Sequence, residues 1–394
     1  MVALSDVVIG ANAGRSRGHN RQVVLGRIRN ATRIGRAEIA RASGLSTQAV
    51  SNIIADLLND GLIVEQGHRA ATRGVPVVQY SLNPDGGYAA GIEIRPDAVF
   101  GALLDLCGAS IAQERLQVST TSRQGVLRAI QQMQAKMTER LDCDPKRLIG
   151  LGVVMPGPFG RTGIKGCASE LPIWDDTSPE EWLSGKLDRA VLVENDANAA
   201  AIGERVSGVA QGLNSYAFLY FGSGLGLGVV HNGRLMTGAF GNAGEIGTLQ
   251  VPCDGQLIML EDVVSRRALV DALGNAESMP VDVEHLSQLY EARDPLLMAW
   301  LNRAIAPLSA AVSTLENLFD PQTIILGGAM PDNVLDHLIG SVRLAKRSVS
   351  NRQIRNEPRL KRGASGRMTA TLGAAALVVN HALTPKIAPQ SKEI

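Results

Sequence analysis

Apolar positions recur at helical spacing through the first sixty residues, which predicts three short helices. The first covers residues 20–29. The second covers about Arg36 to Ser43 and stops at Gly44, a residue that suits the left-handed position after a helix. Ser46 is placed to cap the third helix, "STQAVSNIIADLLNDG". One face of that third helix is apolar, and it consists of Val50, Ile53, Ile54, Leu57 and Leu58.

Polar residues lead the third helix, off its apolar face. Two helices joined by a glycine-containing turn, the second with a polar leading face, are typical of a helix-turn-helix, whose second helix enters the DNA major groove. Residues 62–83 then predict two strands joined by a loop with arginine and glycine, which would be a wing. We therefore predict a winged helix-turn-helix over residues 1–82. The side chains expected to contact double-stranded DNA are Arg36, Ser46, Thr47, Gln48, Ser51, Asn52 and Arg73.

The charge distribution supports a polyanion partner for this segment. Residues 1–80 contain ten arginines, no lysine and five acidic residues, whereas the whole chain carries a formal net charge of only +1. Glutamine and asparagine can bind an adenine edge through two hydrogen bonds, and serine or threonine can bind several base edges. The alternative is a small helical module that binds protein through the same polar face.

From Tyr88 onward the pattern changes to strands, and it does so twice. Three successive strands, a helix of 17 residues and a buried strand, "LIGLGVV", are followed by a second series that begins at "SYAFLYFG". Two such halves predict an α/β body, residues 83–394, made of two lobes with a ligand cleft between them. Lobe one is expected over about 83–200 plus the C-terminal helix, and lobe two over about 201–370.

The stretch "VLVENDANAAAIGERV" carries the candidate chemistry of the body. A short apolar strand ends in Glu194, Asn195 and Asp196, and a helix of small residues follows. In α/β proteins the ends of strands hold polar ligands. Asp196 could accept a hydrogen bond from such a ligand or could remove a proton from it.

Composition excludes several classes of protein. No apolar run approaches the roughly 20 residues that cross a bilayer, and the N-terminus lacks the regions of a signal peptide. The four cysteines are far apart in the sequence, which argues against a disulfide framework. We expect a cytoplasmic protein with no membrane partner.

Across almost its whole length the chain resembles the ROK family of repressors and sugar kinases, and specifically its transcriptional regulators of the xylose- and N-acetylglucosamine-repressor kind. That resemblance implies a winged helix-turn-helix followed by a two-lobed actin/hexokinase-like body that binds sugar. It also implies a homodimer or homotetramer, for which a symmetric dimer would match a palindromic operator. The motifs that carry it are "RAEIARASGLSTQAVSNIIADLLNDGLI", "GLGVVMPGP", "LPIW", "VENDANAAAIGE", "FGSGLGLGVV", "GNAGEIG", "DPQTIILGG" and "TLGAAAL".

The phosphate loop of the family's kinases is not matched here. Kinases of the family open the body with a strand and Asp-x-Gly-Gly-Thr, whereas this chain has "GIEIRPDAV". Pro96 lacks an N–H donor and Arg95 is bulky, so we expect no ATP binding and no cofactor. The second glycine motif, "GSGLGLG", is present and could serve close strand packing instead.

The zinc site of many family members is not matched either. Their Gly-Glu-Ile-Gly-His segment reads "GEIGT" here, and only Cys253 follows nearby. One thiolate cannot satisfy the four ligands that zinc usually takes, so we expect no metal.

By resemblance, Asn195, Asp196 and Glu245 correspond to residues that bind sugar hydroxyls, as carboxylates and amides do well. Glu170 replaces an asparagine of the family, and Thr248 changes the set further, so a polyol, a neutral sugar or a cationic amino sugar fits. An alternative is that these acids only cap helices or pair with arginines.

The leading prediction is a sugar-responsive repressor that does not phosphorylate its effector. The alternatives are an ATP-dependent sugar kinase with an added DNA-binding domain, in which Asp196 would be the base, and a scaffold that binds neither ligand.

Overall fold

The computed structural model describes two compact units. One comprises Met1–Gly87 with Val379–Ile394, and the other comprises Tyr88–Val378. The described residues are those outside 1–12, 70–76, 96–97, 118–121, 140–146, 160–173, 175–176, 223, 275–281, 365, 367 and 385–394.

The first unit begins with three helices and a small antiparallel sheet. Gly44 closes the second helix with a φ of 70°, and the Ser46 hydroxyl accepts from the backbone N–H of Ala49 at 3.2 Å. Both caps were predicted. The apolar faces of the helices pack together, with Ile28, Ile39 and Leu57 fully buried. The elements are α1 (Ala13–Ala31), β1 (Ile34–Gly35), α2 (Arg36–Ser43), α3 (Thr47–Asn59), β2 (Ile63–Arg69) and β3 (Val77–Leu82), with the sheet order β1-β3-β2.

The second unit opens with a five-stranded sheet of order β6-β5-β4-β7-β8. Its first three strands are antiparallel neighbours, and β7 and β8 run parallel to β4. The apolar face of α4 covers this sheet through Ile130 and Met133, which are fully buried. The elements are β4 (Tyr88–Ile94), β5 (Ala98–Asp105), β6 (Ser110–Gln117), α4 (Arg123–Glu139), β7 (Leu148–Val154), α5 (Pro179–Leu187), β8 (Val191–Glu194) and α6 (Asp196–Ser207).

The second sheet repeats that strand order as β11-β10-β9-β14-β15. The predicted strand after the Asn232–Gly233 turn is only two residues long, since Gly238 soon turns the chain with a φ of 74°. The elements are β9 (Tyr216–Phe221), β10 (Leu225–His231), β11 (Arg234–Leu235), β12 (Gln250–Cys253), β13 (Gln256–Met259), α7 (Arg266–Ala272), α8 (Val283–Glu291), α9 (Pro295–Phe319), β14 (Ile324–Gly328), α10 (Asp332–Ser341), β15 (Leu360–Arg362) and α11 (Thr369–Leu383).

Two helices of small residues connect the sheets. A Cβ on Gly152 of β7 would lie 1.9 Å from the carbonyl oxygen of Ala374, so α11 packs directly on the first sheet. The Tyr216 hydroxyl donates to the carbonyl of Ala201 at 2.7 Å, which fixes α6 against the second sheet. Only glycine at position 152 permits so close an approach of helix and strand.

Helix α9 is long and apolar enough to cross a membrane by length and composition alone. In this fold it is a core helix instead. Leu301, Ala304 and Leu308 are fully buried in the hydrophobic core of the second sheet. Glu316, near its end, forms a buried ion pair with Arg359 at 2.5 Å.

Candidate functional site

The turn between β8 and α6 presents three consecutive polar residues. Asn195 caps α6, because its Oδ1 accepts from the backbone N–H of Asn198 at 2.8 Å. Glu194 accepts from the Asn195 backbone N–H at 2.9 Å. Asp196 accepts through Oδ1 from the N–H of Ala197 at 2.9 Å. Within the described residues, Oδ2 of Asp196 and Nδ2 of Asn195 make no hydrogen bond, so each is free to meet a ligand.

Asp196 lies in an acidic and poorly hydrated position. Burial, together with the nearby carboxylates of Glu93 and Glu245, raises the pKa of Asp196 to about 7. A Cβ on Gly222, just past β9, would lie 3.2 Å from its Oδ2. The Asp196 carboxyl therefore holds a proton to higher pH than an exposed aspartate does, and it faces the end of the second sheet.

Glu245, in the segment that follows β11, joins this cluster. A Cβ on Gly157 would lie 3.6 Å from Cβ of Asn195 and 3.7 Å from Oε1 of Glu245, so both side chains border the same space. Burial, and then the charge of Glu261, raise the pKa of Glu245. The predicted residues Asn195, Asp196 and Glu245 thus come together.

The other two predicted ligand residues are placed differently. Thr248 ends the 3-10 turn Ile246–Thr248, and its hydroxyl donates to the carbonyl of Glu245 at 2.8 Å. It therefore shapes the turn that carries Glu245, while its oxygen can still accept. Glu170 lies outside the described residues.

Asn242 supports the site, although the sequence does not single it out as a ligand residue. Its Oδ1 accepts from the Phe159 N–H at 2.8 Å, and its Nδ2 donates to the Phe159 carbonyl at 2.9 Å. These two hydrogen bonds join two loops and hold the Gly157 turn beside Glu245. The sequence signal for Asn242 is its place in the motif "GNAGEIG", three residues before Glu245.

At the end of β4, Glu93 is held between two partners. Arg95 donates from Nε to its Oε1 at 2.6 Å, and Thr371 donates to its Oε2 at 2.5 Å. The guanidinium of Arg95 also lies 4.4 Å from the ring centroid of Phe100. The Arg95 backbone N–H is used as well, because it donates to the carbonyl of Ala98 at 2.9 Å.

The second glycine motif packs against α6. A Cβ on Gly226 would lie 2.7 Å from Cβ of Ala197, and one on Gly228 would lie 2.6 Å from its carbonyl oxygen. These glycines of β10 allow close packing against α6. This agrees with the expectation that the second glycine motif could serve close packing of a strand. Cys253, by contrast, is buried at the end of β12, and its thiol contacts Asp254 at 3.6 Å.

The predicted DNA-contacting residues lie mainly at the start of α2 and α3. Arg36, Ser46, Thr47, Gln48 and Asn52 are exposed, and Ser51 is partly buried.

Several of these side chains already have partners. Arg36 donates to the hydroxyl of Tyr80 at 3.0 Å, and Gln48 donates to Oδ1 of Asn52 at 3.1 Å. The hydroxyl of Ser51 donates to the carbonyl of Thr47 at 2.8 Å. Arg73 lies outside the described residues.

Residues 89–381 match the family model described as "ROK family". The chain belongs to the ROK family. The actin/hexokinase-like α/β fold expected from the resemblance is therefore confirmed, as is the resemblance to the repressors of this family.

Two named relatives are repressors. The chain is 26% identical over 370 residues to the xylose repressor of Bacillus spizizenii, covering 92% of this chain and 96% of that protein. It is 24% identical over 320 residues to the N-acetylglucosamine repressor of Escherichia coli O157:H7, covering 76% of this chain and 77% of that protein.

Solved structures of this ROK fold include both regulators and kinases. A ROK family transcriptional regulator described as a homologue of the Escherichia coli MLC protein has a TM-score of 0.71 at 22% identity, covering 94% of this chain and 97% of its own. A ROK family glucokinase from Streptomyces griseus, solved with glucose and AMPPNP, has a TM-score of 0.58 at 25% identity, covering 74% of this chain and 99% of its own.

Proposed function

We propose that this ROK protein is a sugar-responsive, DNA-binding transcriptional repressor. The observation that carries the proposal is the share of this chain that aligns with each kind of relative. The xylose repressor aligns with 92% of the chain, whereas the glucokinase structure accounts for 74% of it while being matched over 99% of its own length. About a quarter of the chain therefore has no counterpart in the kinase structure, whereas nearly all of it has a counterpart in the repressor.

The DNA-binding part is residues 1–82, a winged helix-turn-helix. Helix α3 enters the major groove, and the β2–β3 hairpin is the wing. Gln48 and Asn52 read base edges after exchanging their mutual hydrogen bond for bonds to DNA. Arg36, held by Tyr80, binds phosphate, and Arg73 does so from the wing. Ser46, Thr47 and Ser51 line the same leading face of the helix.

The body, residues 83–394, binds a carbohydrate effector in the cytoplasm. Asp196 and Glu245 accept hydrogen bonds from sugar hydroxyls, and Nδ2 of Asn195 donates one. Glu170 and Thr248 complete the set. The effector changes DNA affinity by its preference for one arrangement of the lobes, and a symmetric dimer or tetramer matches a palindromic operator.

Phosphoryl transfer is not part of this function. A kinase needs backbone donors and magnesium around the transferred phosphate. Here Glu93 is bound by Arg95 and Thr371, and the Arg95 N–H is bound within its own hairpin. The donors and the acid that would cradle a nucleotide are thus engaged elsewhere, which leaves Asp196 as a sugar acceptor.

A sugar kinase with an added DNA-binding domain is the second candidate. Two observations favour it: the similarity to a glucokinase solved with AMPPNP, and a pKa for Asp196 of about 7, which suits a general base.

The test uses the full chain and operator duplexes selected from a random pool. Gel shifts are measured with and without D-xylose, D-glucose and N-acetyl-D-glucosamine, beside a coupled ADP-release assay with the same sugars. We expect operator binding that one sugar releases, a loss of that response in Asp196→Asn, and no ADP release. Turnover of about 1–100 s⁻¹ would establish the kinase. Absence of specific DNA binding would refute the repressor.

A further inference from the structure

A short loop after β11 leads into Glu245 of the proposed carbohydrate site and lies beside β10. Its two ends are tied to that strand, because the Met236 N–H donates to the carbonyl of Val229 at 2.9 Å and the Leu227 N–H donates to the carbonyl of Gly244 at 3.1 Å. A third bond, from the Ala243 N–H to the carbonyl of Thr237 at 3.1 Å, closes the loop on itself. Residues 237–243, hereafter the cleft loop, therefore hold a defined shape.

Phe240 is the central residue of the cleft loop, and its side chain is exposed. It is 91% accessible, more than any other large apolar side chain among the described residues. An aromatic ring left in water forgoes the free energy that burial of its apolar surface would provide. A ligand that covers this ring would recover that free energy.

The loop continues directly into the carbohydrate site. Asn242, two residues beyond Phe240, binds both backbone groups of Phe159 at 2.8 and 2.9 Å. Glu245 follows three residues later and borders the same space as Asn195. Because consecutive Cα atoms are about 3.8 Å apart, the Cα atoms of Phe240 and Asn242 are separated by no more than about 7.6 Å. Phe240 is therefore carried by the same short segment that leads into Asn242 and Glu245.

We propose that Phe240 is the stacking platform of the carbohydrate site, and that the effector is a cyclic sugar with an apolar ring face. This inference rests on the proposed function. A pyranose presents hydroxyls around its edge and C–H groups on its faces. Asn195, Asp196 and Glu245 meet the hydroxyl edge, and the aromatic ring meets a C–H face.

An acyclic polyol lacks the feature that the ring recognises. It offers hydroxyls to the carboxylates but no flat face of C–H groups. Phe240 therefore discriminates between a pyranose and the alditol of the same configuration, a choice that the polar residues leave open. Because the cleft loop is tied at both ends, the backbone that carries the ring is positioned before the sugar arrives.

The test measures a selectivity ratio in the full-length protein. Calorimetric titrations use three pairs: D-xylose and xylitol, D-glucose and D-glucitol, and D-mannose and D-mannitol. For the pair that the wild type binds most tightly, we expect the pyranose to bind at least about tenfold tighter than the alditol. Phe240→Ala should weaken pyranose binding about five- to tenfold and leave alditol binding within about twofold, since only the C–H face is lost.

Matched variants locate the effect. Phe240→Trp should restore pyranose binding and change its fluorescence on titration with the sugar. Ile354→Ala is the control, because Ile354 is also exposed, at 88%, and lies in the same unit outside the cleft loop. Ile354→Ala should leave the dissociation constants of both the pyranose and the alditol unchanged.

The outcomes separate the two claims. If no sugar binds, or if Asp196→Asn binds as well as the wild type, the proposed function fails and this inference fails with it. If Asp196→Asn loses binding while Phe240→Ala keeps both the affinity and the ratio, only the inference fails. It fails equally if Phe240→Ala changes the molar mass by light scattering and leaves sugar binding intact, since the ring would then cover a protein interface.

Discussion

The Nε atom of Arg95 lies 2.6 Å from Oε1 of Glu93, at the end of the first strand of the body. The pair includes Arg95, which the sequence analysis set against the phosphate loop of the family's kinases. It keeps a carboxylate, whose side chain is only 6% exposed, close enough to raise the pKa of Asp196. Glu93 and Arg95 therefore affect the protonation of a residue of the proposed sugar site.

Glu93→Gln tests this coupling. Removing the charge should lower the pKa of Asp196, so the pH at which sugar affinity reaches half its plateau should shift downward. Loss of the ion partner of Arg95 should also lower the free energy of unfolding by about 1–3 kcal/mol. Calorimetry with the best-bound sugar from pH 5 to 9 gives the midpoint, and urea unfolding gives the stability.

Glu114→Gln is the matched control for that variant. Glu114 is equally buried, with 6% of its side chain exposed, and pairs with Lys136 at 2.6 Å on the outer strand of the same sheet. It should lose stability without moving the midpoint. An unchanged midpoint in Glu93→Gln would contradict the coupling.

Asp196→Asn should become more stable relative to the wild type as pH rises. The wild-type pKa is about 7 in the folded protein, against about 3.9 in an unfolded chain. Protonated Asp196 therefore favours the folded state, and that contribution, complete below pH 4, is lost as pH rises through about 7. The variant cannot ionise and escapes the loss, by about 1–4 kcal/mol at pH 8 relative to pH 4. Urea unfolding at both pH values measures it, and a pH-independent difference would refute it.

Gln48→Ala and Asn52→Ala should each weaken specific operator binding by roughly 1–3 kcal/mol per lost base contact. Binding to random duplex should change little. Gel shifts on both duplexes provide the measurement. Asn59→Ala, an exposed change at the far end of the same helix, should bind as the wild type does.

Arg73→Ala should act differently from those two variants. It removes a phosphate contact, so the affinity for every DNA sequence should fall. The slope of the logarithm of the binding constant against the logarithm of the salt concentration should become shallower by about one unit, because about one fewer counterion is released. If Arg73→Ala instead changed the preferred sequence, the wing would be reading bases.

Gly228→Ala should destabilise the body by about 1–3 kcal/mol, because its Cβ would lie 2.6 Å from the carbonyl oxygen of Ala197. Gly340→Ala, in α10 with nothing within 4 Å of the added atom, should instead stabilise by about 0.5–1 kcal/mol. Urea unfolding of both variants is the measurement. Equal effects of the two substitutions on the free energy of unfolding would mean that the contact between β10 and α6 does not require glycine at position 228.

No zinc should remain bound after chelation and dialysis. Cys253 is the only cysteine near Thr248 in the sequence, and one thiolate cannot complete a four-ligand zinc site. Elemental analysis that finds about one zinc per chain would overturn this expectation.

Local signals in the sequence were sufficient for many elements. Gly44 and Ser46 mark the ends of α2 and α3 because capping depends on residues within one turn. Two further elements carry equally local signals. Asp294 and Pro295 mark the start of α9, and Asp254–Gly255 marks the β12–β13 hairpin.

Residue types at short spacing were also enough to predict the family, the two strand series of the body and its candidate polar residues. Which of these residues meet depends on the tertiary fold. Thr371 reaches Glu93 across 278 residues, and Asn242 reaches Phe159 across 83. Periodicity cannot predict such pairs, because they depend on how two sheets and two small-residue helices pack in three dimensions.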